Sequence, residues 1–142
     1  MAVRLFFEAK LPPGACPPAA LRKAAEAALS GPLSRGPVNV VYTGDAGIRK
    51  LNKRFLGKDR VTDVIAFNYP PSPVKGAVLG EVYVCVPQAR RQAAGLGHSL
   101  SAELLVLTVH GALHLSGMDD ATRAQRAAMN AKTSRLLNKL RF

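Results

Sequence analysis

The stretch HGALHLSGMDD, residues 110–120, contains two of the chain's three histidines and two neighbouring aspartates. His110 and His114 are four residues apart, and residues at this spacing lie on one face of a helix, about 6 Å apart along its axis. Two imidazole rings placed in this way can direct their nitrogens at one metal ion. The spacing therefore predicts that the two histidines are ligands of the same metal.

A glycine and two acids follow the histidines. Gly117 allows the chain to turn sharply out of the helix, which would bring Met118, Asp119 or Asp120 back over the imidazole rings. We predict one Zn²⁺ per chain, held by His110, His114 and Asp120, with Asp119 as a helix cap or a partner of the ligands. The alternative is two buried core histidines followed by aspartates that cap the next helix.

The arrangement H-x3-H-x2-G-x2-D has the ligand spacing of the HExxHxxGxxH zinc proteases, with aspartate as the third ligand. Those proteases require a glutamate directly after the first histidine, where it acts as general base. This chain has Gly111 at that position, and glycine has no side chain to accept a proton. Protease chemistry of this kind is therefore disfavoured.

The chain is strongly basic. It has 20 Lys and Arg against 9 Asp and Glu, a formal net charge of +11 and a pI near 10.4. Such an excess predicts a polyanionic partner, with nucleic acid favoured over an acidic membrane surface. Cys16 and Cys85 form no metal-binding pair, which is typical of reduced packing cysteines. We expect a cytoplasmic protein with neither a signal peptide nor a membrane span.

The elements that must position the histidines follow from hydrophobic periodicity and from turn residues. Residues 101–116 are apolar nearly all round, which predicts a buried central helix that carries both histidines. Asp45 is expected to cap the helix that follows it. The predicted strands are 2–9, 37–44, 61–70 and 79–87, and the other predicted helices are 16–31, 46–57, 87–97 and about 120–140.

These elements predict an α+β fold in which a mixed sheet of about four strands packs against about five helices. The 142 residues are expected to form one domain, 1–142, because no linker divides them. The last helix contributes basic residues and, from Ala121 onward, no acid. The basic residues of this segment are Arg123, Arg126, Lys132, Arg135, Lys139 and Arg141.

Three blocks of the sequence resemble the YbeY family of bacterial metal-dependent endoribonucleases of rRNA maturation. HGALHLSGMDD resembles the family signature H-G-x-L-H-L-x-G-Y-D-H. NKRFLGKDRVTDVIAF, residues 52–67, resembles N-x-x-Y-R-G-K-D-x-P-T-D-V-L-S-F, and LGEVYV, residues 79–84, matches the strand that follows. The similarity covers about residues 38–130.

The resemblance implies a zinc-dependent, single-strand-specific endoribonuclease that acts in rRNA maturation and ribosome quality control. Its partners would be rRNA and ribosomal particles, with no small-molecule cofactor and no membrane. Two positions depart from the family. Asp120 stands where the family has its third histidine ligand, and Leu56 stands where the family has an arginine implicated in RNA binding or catalysis. Arg54 and Arg60 are the candidate substitutes, and His114 is the other candidate catalytic residue.

Two further functions stay open. The chain could be a non-catalytic rRNA-binding assembly factor whose metal is structural, a function that both departures favour. A structural site is closed and four-coordinate, so it would need a fourth protein ligand. By sequence that ligand could be Asp119, His98 or Glu103. A metalloprotease is the third alternative, weakened by Gly111 and by the basic charge.

Overall fold

The structure, a computed structural model, describes residues 2–140. Its strands form one mixed sheet, as predicted. The strands are β1 (Val3–Phe7), β2 (Val38–Thr43), β3 (Val64–Asn68) and β4 (Gly80–Cys85), and their order in the sheet is β1-β2-β4-β3. Strand β3 is an edge strand that runs antiparallel to β4, whereas the β1–β2 and β2–β4 pairs are parallel.

The described residues form five α-helices besides the sheet, which confirms the predicted α+β class. A short 3-10 helix, Gly31–Arg35, precedes β2, and β4 continues into the third α-helix without a loop. The α-helices are α1 (Pro18–Ala28), α2 (Asp45–Leu56), α3 (Val86–Leu96), α4 (Leu100–Leu115) and α5 (Arg123–Leu140).

The inner face of the sheet packs against α1 and α4. Alternate residues of the parallel strands point to this face, because successive side chains of a strand lie on opposite sides of a sheet. Val40, Val82 and Val84 are completely buried there. Tyr42 is also fully buried, and its hydroxyl lies 2.8 Å from the Thr108 hydroxyl on α4, so the ring is fixed against the central helix.

The outer face of the sheet is only partly covered. Helix α2 packs on β3 and β4 through Ile48, which contacts Ile65 and Cys85 in a second, smaller core. Over β1 and β2, no helix of residues 2–140 covers the outer face, and Phe6 is 46% exposed. The two faces therefore differ: the inner face holds the main core, and the outer face has accessible aromatic and polar side chains.

Two predicted helix starts are wrong. Gly44, and not Asp45, is the residue before α2, and Asp45 is the first helical residue, so its carboxylate is free to bind Arg91 instead of capping the helix. Helix α5 begins at Arg123 and not near residue 120. Of the six basic residues predicted near this helix, Arg141 lies outside the described residues, and the other five are exposed.

Residues 2–140 contain no single helix that is both long and apolar enough to cross a membrane. Helices α3 and α4 together have the length and apolar composition of a membrane span, but they are bent by 116° relative to each other.

Candidate active site

Helix α4 carries His110 and His114 through the centre of the molecule. Ser99 begins it by accepting a hydrogen bond from the Ala102 amide at 3.1 Å. Ten of its residues are buried, as expected from a sequence that is apolar on nearly all sides. The predicted buried helix is therefore confirmed, and its surroundings leave little freedom for the backbone that carries the histidines.

Gly111 allows α4 to approach the sheet closely. A Cβ atom at this position would lie 2.3 Å from Val82 Cγ1 and 3.1 Å from Val64 Cγ2. Neither distance leaves room for a side chain, because both valines belong to the packed inner face. The glutamate that zinc proteases need directly after the first histidine cannot be accommodated here, which strengthens the argument against protease chemistry.

The turn predicted after His114 is present. Gly117 has φ 102°, in the left-handed region that favours glycine. Its amide donates to the His114 carbonyl at 3.0 Å, and the Met118 amide donates to the Leu113 carbonyl at 3.0 Å. These bonds satisfy carbonyl groups at the end of the helix, where intrahelical donors are missing. The chain therefore reverses directly beyond His114.

The reversal brings Asp120 to His114. The Asp120 Oδ2 atom lies 3.3 Å from His114 Nε2, and the side chains are 52% and 26% exposed, respectively. Arg126, on the first turns of α5, donates to the Asp120 carbonyl at 3.4 Å and to the Ala121 carbonyl at 3.0 Å. Asp119 is exposed. Of the two acids considered from the sequence, Asp120 is the one that contacts a histidine.

Neither aspartate caps α5. Thr122 and Gln125 form a reciprocal capping pair instead. The Thr122 amide donates to Gln125 Oε1 at 3.0 Å, and the Gln125 amide donates to Thr122 Oγ1 at 3.1 Å. The T-x-x-Q spacing is the sequence signal for this arrangement. The cap role expected for Asp119 is therefore wrong, and Asp120 is free to face His114.

His110 lies deeper than His114. Its Nε2 atom is buried and has no hydrogen-bond partner among the described residues. Burial lowers the pKa of His110 below 6.5, and His114 adds to this effect, whereas the negative charges of Asp63, Glu103 and Asp120 oppose it. His110 is therefore neutral at pH 7, the form in which an imidazole nitrogen can bind a metal.

A polar network fills the space beside the amino-terminal part of α4. Glu103 is 3% exposed, and it accepts a hydrogen bond from Gln92 Nε2 at 2.7 Å and lies 3.0 Å from His98 Nε2. Gln92 Nε2 is also 3.4 Å from the Asp63 carboxylate, which accepts a bond from the Val64 amide at 2.8 Å. The network links α3, α4 and the start of β3 next to His110.

His110, His114 and Asp120 have the chemistry of a metal site, although their side chains are not arranged around one point in this structure. Among residues 2–140, no three His, Cys, Asp or Glu side chains are already arranged to hold an ion. His110 Nε2 is nevertheless a buried polar atom without a partner, and such atoms are rare and require an explanation. Imidazole nitrogens and a carboxylate are ordinary zinc ligands. His110, His114 and Asp120 therefore fit a zinc ion by donor type.

Arg54 and Arg60 lie on the α2 side of the molecule. Arg54 is on the last turn of α2, and its guanidinium carbon is 5.2 Å from the centre of the Phe55 ring. Arg60 is in the following loop, where its carbonyl accepts a hydrogen bond from Asn52 Nδ2 at 2.9 Å. Both arginines are exposed, and within residues 2–140 neither forms a hydrogen bond or salt bridge with the histidines or Asp120. Leu56 is 53% exposed.

Three residues near the site have roles that were missed from sequence. Asp63 stands directly before the mostly apolar edge strand β3, and an acid at that position was the available signal. Gln92 gave no signal, because a glutamine on a helix is an ordinary surface residue. Arg126 was predicted only as a basic residue of the last helix, without its contact to the Asp120 loop. Their roles depend on which elements pack together.

Comparisons with known proteins agree with this architecture. The profile of the family described as "Endoribonuclease YbeY" matches residues 19–141. A protein named endoribonuclease YbeY from Elusimicrobium minutum is 39% identical over 99% of this chain and 100% of its own length. One of the same name from Chlorobaculum tepidum is 42% identical over 75% of each chain.

A solution structure of a Thermotoga maritima protein covers 98% of this chain and 91% of that one, with a TM-score of 0.57 and 24% identity, which shows the fold alone. Fold and site thus define a class of α+β domains in which a buried helix brings two histidines to the edge of a mixed sheet. Within that class, the chain belongs to the YbeY family of endoribonucleases.

Proposed function

We propose that this protein is a zinc-dependent, single-strand-specific endoribonuclease that acts on rRNA in the cytoplasm, in rRNA maturation and ribosome quality control. One zinc ion would be held by His110, His114 and Asp120. The names of the relatives support the endoribonuclease class. Ribosomal particles as partners, the metal and the single-strand preference belong to the proposal.

The observation that carries the proposal is the unpartnered Nε2 atom of His110, next to the histidine–aspartate pair at the end of α4. A buried polar atom without a partner destabilises a protein by about 1–3 kcal/mol unless something binds it. A neutral histidine at this place, four residues before a second histidine, suits a cation better than it suits the core.

Each residue of the site would have a role that follows from its position. A bound zinc ion would act as a Lewis acid towards a phosphoryl oxygen. His114 is partly exposed and in contact with Asp120, so its ring is oriented at the point where a phosphodiester can approach from solvent. Arg126 holds the backbone of the Asp120 loop and thereby keeps the carboxylate in place.

Exposed basic residues would bind the RNA backbone. Arg54 and Arg60 would contact phosphates near α2, in place of the family arginine that is Leu56 here. The basic residues of α5, a helix that packs against α1 and α4, would bind phosphates at a separate place, and their attraction to phosphate is independent of sequence. Affinity for single-stranded RNA should then fall with salt, with a log–log slope of about −0.7 for each phosphate contacted.

A second candidate function is a non-catalytic rRNA-binding assembly factor with a structural metal. Leu56 and Asp120 favour it, since both replace residues that the family uses. A structural zinc site needs a fourth protein ligand. Glu103 and His98 already contact each other, and Glu103 also accepts a bond from Gln92. The exposed Asp119 is therefore the better candidate for that fourth ligand.

The deciding experiment measures bound metal and RNA cleavage in the same preparations. We expect one zinc ion per chain in the wild type, loss of metal and cleavage in His114→Ala and Asp120→Ala, and both retained in Asp119→Ala. Chelator should stop cleavage and lower thermal stability, because metal binding adds to the folding free energy.

The outcomes separate the two functions. Bound metal with no cleavage, unchanged when arginine replaces Leu56, would make the chain a binding factor. Loss of metal in Asp119→Ala would indicate the closed, four-ligand site of the second candidate. Full metal occupancy in Asp120→Ala would remove Asp120 from the ligand set and refute that part of the proposal.

A further inference from the structure

A second surface feature lies on the outer face of the sheet, where α2 meets the end of β3. It is a cleft of about 400 Å³ whose walls are mostly aromatic. Phe55 is 54% exposed and Tyr69 is 45% exposed, although large apolar side chains are usually covered. We call it the aromatic cleft, and its named walls are Arg54, Phe55, Phe67, Tyr69 and Tyr83.

The rings of the aromatic cleft are held in defined positions. The Phe55 and Phe67 centroids are 5.0 Å apart at an interplanar angle of 61°, and those of Phe67 and Tyr83 are 6.1 Å apart at 73°. Edge-to-face contacts of this kind leave the face of an outer ring free for another planar group. The Tyr69 and Tyr83 hydroxyls both donate to the Glu81 carboxylate, which fixes the opposite wall.

The charge around the cleft indicates the chemistry of its occupant. Asp45 is paired with Arg91 at 2.7 Å, and Asp59 is paired with Arg49 at 2.8 Å. Arg54 lines the cleft and, within residues 2–140, forms no salt bridge. Its guanidinium lies against the Phe55 ring. A planar aromatic surface beside an unpaired guanidinium complements a group that is both planar and anionic.

We propose that the aromatic cleft binds one unpaired nucleotide of single-stranded RNA, whose base stacks on Phe55 and whose adjoining phosphate contacts Arg54. Stacking on aromatic side chains is how proteins hold single strands without reading their sequence. The proposal rests on the proposed function in that it names RNA as the ligand. It adds a binding site on the sheet face opposite to α4 and its histidines.

A single tryptophan provides the test, because the chain contains none. Phe55→Trp keeps an aromatic ring in the cleft and creates one fluorescent reporter. Its emission should be quenched saturably by a short oligoadenylate and not by an abasic oligoribonucleotide of the same length and charge. The matched control is Leu96→Trp at the end of α3, where the side chain is 66% exposed. We expect no quenching there.

Affinity gives the second measurement. Phe55→Ala should weaken oligoadenylate binding at least about fivefold, the lower end of what one stacked base contributes. Phe55→Tyr should retain the affinity. The abasic oligomer should bind equally well to the wild type, Phe55→Ala and Phe55→Tyr. Equal quenching by the abasic oligomer would overturn the proposal in favour of phosphate contact alone. Quenching that depends on protein concentration without RNA would assign the cleft to a second copy of the chain.

The titration needs no cleavage, so it is independent of the proposed nuclease activity. Repeated in a His110→Ala background, base-dependent quenching should persist although cleavage is lost. Quenching in a Phe55→Trp protein that keeps His110 and contains zinc, but cleaves no RNA, would leave the aromatic cleft intact as a site and refute the enzyme. Cleavage without base-dependent quenching would refute the cleft and leave the enzyme.

Discussion

The two ends of α4 carry similar groups in opposite states. At the amino-terminal end, Glu103 is buried and both of its oxygens are engaged, by Gln92 and by His98. At the carboxyl-terminal end, the His114–Asp120 contact is open to solvent, and the Nε2 atom of His110 has no hydrogen-bond partner in residues 2–140. One end is satisfied within the protein and the other is not.

This difference separates structure from binding. A buried carboxylate that receives hydrogen bonds from two neighbouring side chains links helices and needs nothing from solution. A buried nitrogen without a partner destabilises the fold unless a ligand binds it. We call the amino-terminal end with Glu103 the closed end, and the carboxyl-terminal end with His110, His114 and Asp120 the open end. The closed end is expected to matter for folding and the open end for activity.

The largest expected effect comes from His110 at the open end. His110→Leu should reduce bound metal from one ion per chain to background and abolish RNA cleavage. In metal-free protein, the same change should leave the free energy of unfolding unchanged or raise it by about 1 kcal/mol, because the unpaired buried nitrogen is removed. Metal analysis and urea unfolding in chelator would measure the two effects.

His114→Leu is the matched control for this prediction. Its side chain is partly exposed and contacts Asp120, so the same substitution should abolish metal binding without stabilising the metal-free protein. A large loss of stability in metal-free His110→Leu would mean that the His110 nitrogen has a partner in solution, and the contrast between the two ends would fail.

The next largest effect concerns the packing of α4 against the sheet at Gly111, which positions both ends of the helix. Gly111→Ala should lower the free energy of unfolding by about 1–3 kcal/mol, because its Cβ would lie 2.3 Å from Val82 Cγ1. Thermal unfolding of metal-free protein would measure the loss. Adding Val82→Ala to Gly111→Ala should recover part of the lost stability, because it removes the atom that the new Cβ would meet. If the effects of the two substitutions were strictly additive, the proposed contact between residue 111 and Val82 would be contradicted.

At the closed end, Glu103→Ala should lower the free energy of unfolding by about 1–3 kcal/mol, because Gln92 and His98 lose the carboxylate that accepts their hydrogen bonds. Metal content should remain at one ion per chain, the opposite of the result for His110. Glu103→Gln, which keeps one oxygen acceptor, should lose less stability. If Glu103→Gln lost the metal, Glu103 would have to be counted as a ligand.

The smallest effect belongs to an exposed pair near the closed end. Arg91, the neighbour of Gln92 on α3, donates to Asp45, and these hydrogen bonds lower the pKa of Asp45 below 3.8. A lowered carboxyl pKa stabilises the fold above pH 3.8, and this contribution is lost as pH falls through the folded-state value. Asp45→Asn should therefore be slightly less stable than wild type at pH 7.

The same comparison at acid pH provides the control for Asp45. Both proteins carry an uncharged group at this position once Asp45 is protonated, so their unfolding curves should converge. An exposed ion pair contributes little, and a loss at pH 7 as large as that of Glu103→Ala would contradict the distinction between exposed and buried pairs.

Much of the fold could be predicted from local sequence. The apolar run of residues 101–116 indicated a buried helix, and Val82 and Val84 alternated with polar neighbours as a half-covered strand requires. Gly117 marked the turn beyond His114. These features are local, because side-chain periodicity and a glycine's backbone freedom depend on adjacent residues.

Helix starts were less predictable. Several residues near each boundary can cap a helix, and the choice depends on competing partners. Asp45 has Arg91 as its partner, and Asp120 has His114. The capping bonds of α5 are made by Thr122 and Gln125.

The sequence alone determined that two histidines share one face of an apolar helix, that a glycine turn and an acid follow them, and that the chain is strongly basic. Only the tertiary structure decided which of the two acids reaches His114, that Asp63, Gln92 and Glu103 lie beside His110, and that aromatic rings from α2, β3 and β4 meet in one cleft. The physical reason is sequence distance. Spacing along a helix is fixed by its geometry, whereas contacts between residues far apart in the chain depend on how the whole core packs.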